Sequence, residues 1–302
     1  MKKYKVIFAG TPLFACPALE SLIKDDRFEI QAIITQENKP VGRKQIITTP
    51  PVKSIGDKNG ILVLQPRKIS NIYEDLKALS PEFLVVIAYG QILPKKILDI
   101  AKWNINLHAS LLPKYRGASP IQSALLQGET ETGVSVMNIE EKMDAGAVYK
   151  THILSIHPKD TSEILFHKLA EIGKNLPNDL VDISSGIEAE IQNESEASYC
   201  KKISKADAEI HPNLETADEI YNRLRAFTPW PGIFFMNEGK RIKIISGEIM
   251  KYNSDIQEPE NTLSSLGIKA RLGYFLPERI IPEGKKETDF RSWVKNLSSK
   301  RV

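Results

Sequence analysis

Two cysteines in 302 residues, Cys16 and Cys200, are too few and too far apart for a disulfide framework or a CxxC metal site. A reducing, cytoplasmic setting is the expectation that follows. The five histidines show no HExxH or paired-ligand spacing, so no metal is expected. No uninterrupted apolar run approaches the length of a membrane span. The basic start Met1-Lys2-Lys3-Tyr4-Lys5 leads into an apolar stretch that Gly10-Thr11-Pro12 soon breaks, and no signal peptide is expected either. Gly10-Thr11-Pro12-Leu13-Phe14 also lacks the further glycines that let a backbone approach a pyrophosphate, which argues against NAD or ATP. With a net charge of only +3, the composition is that of an ordinary soluble protein.

What is present is room for two domains and a pattern that fills the first. The apolar run at 5–10, followed by Leu19, Leu22 and Ile23 at helical spacing, predicts strand, turn and helix. Further strands are predicted at 30–35, 61–64 and 83–88, with a helix over 52–59 and a long polar loop over 36–49. The run Phe83-Leu84-Val85-Val86-Ile87-Ala88 suits a strand covered on both faces of a parallel sheet. A helix at 120–126, strands at 133–139 and 148–156, and a helix opened by the capping-box pattern Asp160-Thr161-Ser162-Glu163 complete a domain spanning residues 1–188. Strands alternating with helices predict an open, mainly parallel, Rossmann-like α/β sheet with ligands at the carboxyl ends of its strands. The polar stretch 189–206 reads as a linker. Residues 207–302 show one amphipathic helix at 217–226 and short strands at 232–235, 241–245 and 272–276, the pattern of a small OB-like β-barrel. Residues 200–302 hold 18 Lys and Arg against 14 Asp and Glu, which directs the search for a polyanionic partner to this part.

The chain is organised around Asn104-Ile105-Asn106-Leu107-His108-Ala109-Ser110-Leu111-Leu112-Pro113. Its first half alternates as a strand does, so Asn106 and His108 share one face, and Pro113 ends regular structure beside them. A neutral amide and an imidazole so placed can hold an oxyanion as it forms, or can simply satisfy each other at a strand end. Asp144, followed by Ala145 and Gly146, favours the first alternative: small residues after a carboxylate mark a tight turn that approaches something closely. A carboxylate there could orient and charge the imidazole.

Together, Phe8-Ala9-Gly10-Thr11-Pro12, Ala88-Tyr89-Gly90-Gln91-Ile92-Leu93-Pro94, Asn106-Leu107-His108, the run from Ser110 to Gly117 and Asp144-Ala145-Gly146 resemble the methionyl-tRNA formyltransferases of the folate-dependent formyltransferase family. Phe227-Thr228-Pro229-Trp230-Pro231-Gly232 extends the resemblance into the second domain. The resemblance implies the formyltransferase fold and formyl transfer from 10-formyltetrahydrofolate to the α-amine of initiator methionyl-tRNA, by a monomer. It implies catalytic roles for Asn106, His108 and Asp144, folate contacts from Ser110, Leu111, Leu112 and Pro113, and a folate pocket shaped by the backbone at Tyr89 and Gly90. It also implies a tRNA-facing loop carrying Arg43 and Lys44, here less basic than the family's usual version. Lys201, Lys202, Lys205, Arg223, Lys240, Arg241 and Lys243 are added as candidate phosphate contacts on charge alone. The rival readings are a formyltransferase with a small amino-sugar or amino-nucleotide acceptor, and a tRNA-binding module without activity.

Overall fold

A computed structural model describes residues 3–41, 45–250, 263–264 and 267–298. Contacts group the chain into two compact units, the first comprising residues up to 120, 131–155 and 166–200. Its centre is β1 (Tyr4–Gly10), in which Val6, Ile7, Phe8 and Ala9 are wholly buried because both faces of the strand are covered. Parallel to it run β2 (Phe28–Ile34), β5 (Val63–Leu64), β6 (Phe83–Ile87) and β7 (Trp103–His108), while β9 (Glu131–Asn138) pairs antiparallel with β7 and β10 (Val148–Ser155) antiparallel with β9. The strand order is β10-β9-β7-β6-β1-β2-β5. Because β1 pairs with β2 on one side and β6 on the other, the order of strands reverses there, and the carboxyl rim at such a switch point is where open α/β sheets bind their ligands.

Helices α1 (Cys16–Lys24), α2 (Pro51–Lys58), α3 (Tyr73–Ala78), α4 (Lys95–Leu98), α5 (Pro120–Leu126), α6 (Ser162–Ile172) and α7 (Leu176–Ser184) connect these strands or follow them. Pro17 in the first turn of α1 costs nothing where the amide would be unpaired, and Ala18, Leu19 and Leu22 form its buried stripe. Two local expectations change. Residues 36–49 are not simply a loop: β3 (Lys39–Val41) and β4 (Ile46–Thr48) pair as an antiparallel hairpin, and the exposure of Ile46 and Ile47 removes the alternation that would reveal it. Thr161, rather than Asp160, caps α6, its hydroxyl accepting the Ile164 N–H, because the Asp160 carboxylate turns back to accept the N–H of His157.

The second unit contains residues 121–130, 156–165 and 201 onward. Its sheet is antiparallel, formed by β12 (Ile233–Asn237), β13 (Lys240–Met250), β14 (Leu263–Ser264), β15 (Gly267–Lys269), β16 (Tyr274–Pro282) and β17 (Thr288–Asp289). Glu238 and Gly239, both at positive φ, make the two-residue turn between β12 and β13. Helix α8 (Ala217–Phe227) opens with a complete capping box between Thr216 and Glu219. A second helix, α9 (Phe290–Ser298), buries Phe290 and Val294 one turn apart; the sequence reading expected only one helix here. Among the described residues no helix is long and apolar enough to cross a membrane.

Candidate active site

The period of β7 places Asn106 and His108 on one face at the carboxyl rim, opposite Met137 and Ser135 of β9. His108 is almost buried, and its Nε2 lies 2.9 Å from the carbonyl oxygen of Tyr115. A carbonyl only accepts, so Nε2 carries the hydrogen and donates it. The other nitrogen, Nδ1, faces Asp144 Oδ2 at 3.6 Å. Both ring nitrogens thus look at oxygen atoms, Nε2 at hydrogen-bond distance and Nδ1 at ion-pair distance. Asn106 is half-buried, and its carboxamide forms no hydrogen bond among the described residues.

Asp144 sits at φ +51°, a strained conformation that aspartate tolerates better than most residues. Its Oδ2 accepts the Gly117 N–H at 2.8 Å. Gly146, two residues on, has no room for a side chain: a Cβ there would lie 2.1 Å from the Asn138 carbonyl oxygen. That is the close approach that the small residues after Asp144 foretell. The turn is gripped from the other side by Gln192, whose Nε2 donates to the carbonyls of Asp144 at 2.9 Å and of Gly146 at 2.7 Å.

Ser110 is fully buried, and its hydroxyl donates to the Lys114 carbonyl at 2.6 Å, so this side chain ties the loop rather than facing outward. Leu111, Leu112 and Pro113 are half-buried, with the Leu112 amide held by the Ser135 hydroxyl. At the end of β6 the Tyr89 side chain turns into an apolar cluster with Ile7, Ala9, Leu84 and Ile97, where burial pushes its hydroxyl up to about 12. The Tyr89 carbonyl accepts from Thr11 Oγ1 and Gln36 Nε2. Ala88 and Gly90 remain exposed, both at positive φ, and where a Gly90 Cβ would stand the nearest neighbour is the Gln36 amide at 4.0 Å. The backbone at Ala88 and Gly90 is therefore exposed at the rim.

The stretch 189–200 reads as a linker by composition yet packs on this site. Glu190 bridges Val148 by backbone hydrogen bonds, and β11 (Tyr199–Cys200) pairs in parallel with β8 (Arg116–Gly117). Arg116 is completely buried. Its Nε donates to Gln192 Oε1 at 2.9 Å, and its Nη1 donates to Glu194 Oε1 at 2.8 Å and to the Tyr199 hydroxyl at 3.2 Å. Sequence reasoning missed Gln192 and Glu194, since Lys114 two residues earlier makes Arg116 read as one more solvated basic side chain.

Arg43 and Lys44 lie outside the described residues. Lys201 and Lys202 are exposed in the segment after β11. Arg223 is committed internally: it pairs with Glu215 at 2.5 Å and donates to the Asp207 carbonyl, which withdraws it as a phosphate contact. Among the described residues no group of three or more His, Cys, Asp or Glu side chains converges as a metal site would require.

Comparison with known proteins adds to this geometry. The family model described as formyl transferase matches residues 2–180, and that described as formyl transferase, C-terminal domain, matches residues 202–298. A methionyl-tRNA formyltransferase from a Nitratiruptor species is 45% identical over 85% of this chain and 82% of its own length. One from Caldicellulosiruptor saccharolyticus is 37% identical over 98% of both chains. Among solved structures, an N-formyltransferase from Helicobacter canadensis, in complex with folinic acid and dTDP-3-aminofucose, superposes with a TM-score of 0.68 at 23% identity, covering 94% of this chain and all of that one. That last likeness concerns the fold alone.

Proposed function

The chain belongs to the formyl transferase family, and from that premise we propose that it transfers a formyl group from 10-formyltetrahydrofolate to the α-amine of initiator methionyl-tRNA. It does so as a cytoplasmic monomer supplying translation initiation. The acceptor is favoured over an amino sugar because the relatives similar over nearly the whole chain, C-terminal unit included, carry that name.

The folate co-substrate supplies the formyl group, and the open backbone at Ala88 and Gly90, with the loop through Leu111, Leu112 and Pro113, is the surface on which it fits. Asn106 holds the formyl oxygen, because its amide makes no hydrogen bond among the described residues. His108 places positive charge next to that oxygen while its Nε2–H stays on Tyr115. Asp144 balances the imidazolium and receives, directly or through water, the proton that the attacking amine gives up. A new bond joins the amine nitrogen to the formyl carbon, the bond to the folate nitrogen breaks, and that nitrogen takes a proton. Arg43, Lys44, Lys201 and Lys202 supply phosphate contacts to the tRNA.

The observation that carries the reading is the apposition of His108 and Asp144 beside Asn106 at the rim of β7. The test offers charged initiator tRNA, charged elongator methionyl-tRNA and a dTDP-amino sugar to the purified protein with the folate donor. Formylation of the initiator alone is expected. Formylation of the sugar without the tRNA overturns the acceptor assignment.

A further inference from the structure

Asp144 has to be held at a backbone conformation that costs free energy, and the groups that hold it come from 27 and 48 residues away. Gln192 is the more informative of the two. Its Oε1 is occupied by Arg116 Nε, which can only donate, so its amide nitrogen has one orientation left, toward the Asp144 and Gly146 carbonyls. Arg116 is itself fixed by Glu194 and Tyr199, and the residue after it donates to the Asp144 carboxylate. A flipped Gln192 amide would set oxygen against two carbonyl oxygens and leave the buried Arg116 Nε facing another donor.

From this we infer that Gln192, locked by Arg116, is a positioning residue that sets the Asp144 carboxylate against His108. The inference rests on the catalytic reading of Asn106, His108 and Asp144 given above. Gln192 touches no reacting atom. It acts by fixing where Oδ2 stands, and a displacement of about 1 Å at such a group can cost on the order of 10²-fold in rate.

Two substitutions test it. Gln192→Glu keeps an acceptor for Arg116 but places oxygen against both turn carbonyls; Gln192→Ala removes both interactions. Steady-state formylation of methionyl-tRNA is measured for each, with thermal melts as the folding control. The expected result is kcat down about 10²-fold, with KM for either substrate within about twofold, and a changed pH profile. Placed on an Asp144→Asn background, Gln192→Glu should add little further loss, since residues acting as one unit are not additive. Folded variants with native kcat and only a lowered melting temperature overturn the inference. If Gln192→Ala does not fold, Gln192→Glu decides alone, and failure of both to fold overturns it in favour of a purely structural tie. Native kcat in Asp144→Asn instead sinks the underlying catalytic reading, so the two failures are distinguishable.

Discussion

His108 donates its Nε2–H to the carbonyl of Tyr115 at 2.9 Å, and this bond leaves Nδ1 as the nitrogen that faces Asp144. The ring is clamped between a loop carbonyl and a turn carboxylate. His108→Ala is expected to lower kcat on the order of 10²–10³-fold, as loss of one group stabilising developing charge typically does. Asp144→Asn keeps an acceptor for the Gly117 N–H but removes the negative charge, so it should lower kcat while leaving the turn folded. Single-turnover formylation together with thermal melts separates the two effects.

Asn106 gives a cleaner case, because its carboxamide makes no hydrogen bond among the described residues. Asn106→Ala should cost about 10²-fold in kcat while the midpoint of urea unfolding stays nearly unchanged. A large stability loss with little rate loss would show that the amide serves the fold instead.

Glycine is required twice around the site for steric reasons. A Cβ at Gly146 would lie 2.1 Å from the Asn138 oxygen, and one at Gly117, which sits at φ +120°, would lie 2.2 Å from the Cys200 oxygen. Gly146→Ala and Gly117→Ala should each destabilise by about 1–3 kcal/mol or more. Both should also reduce kcat, since each displaces a group that holds Asp144. Urea titration beside steady-state kinetics checks both expectations.

Hydrogen bonding from Lys142, and then from Arg116, holds the Glu194 carboxyl below its ordinary 4.5. A carboxylate whose folded value is depressed contributes stability fully above its unfolded value, and that contribution is lost as pH falls through the folded value. The melting temperature should therefore decline on acidification below about pH 4.5, and Glu194→Gln should flatten that decline. Melts taken at intervals from neutral pH downward read the difference directly.

The sheet and the heart of the site were legible because they obey local periodicities. Alternation set Asn106 and His108 on one face, an unbroken apolar run marked β6, and Ala145-Gly146 betrayed a turn pressed against a neighbour. Other features escaped because their causes are not local. Gln192 and Glu194 are polar and look solvated until the fold brings Arg116, more than 70 residues earlier, beside them. Strands β3 and β4 are three residues each, and β4 exposes both of its isoleucines, so neither carries an alternation to read. Helix α9 was legible in principle, from Phe290 and Val294 at a spacing of four, but its short stripe follows a run of turn residues.

Because β11 lies beside β8 and Gln192 reaches the Asp144 turn, the candidate site does not finish where the composition changes. In recombination or design, a crossover placed after Cys200 rather than earlier keeps the partners of Arg116 and the grip on the Asp144 turn with the sheet they serve. A joint made near residue 188 would ask a foreign sequence to supply the partners of Arg116, and the hybrid would inherit an intact sheet with a disarmed carboxylate.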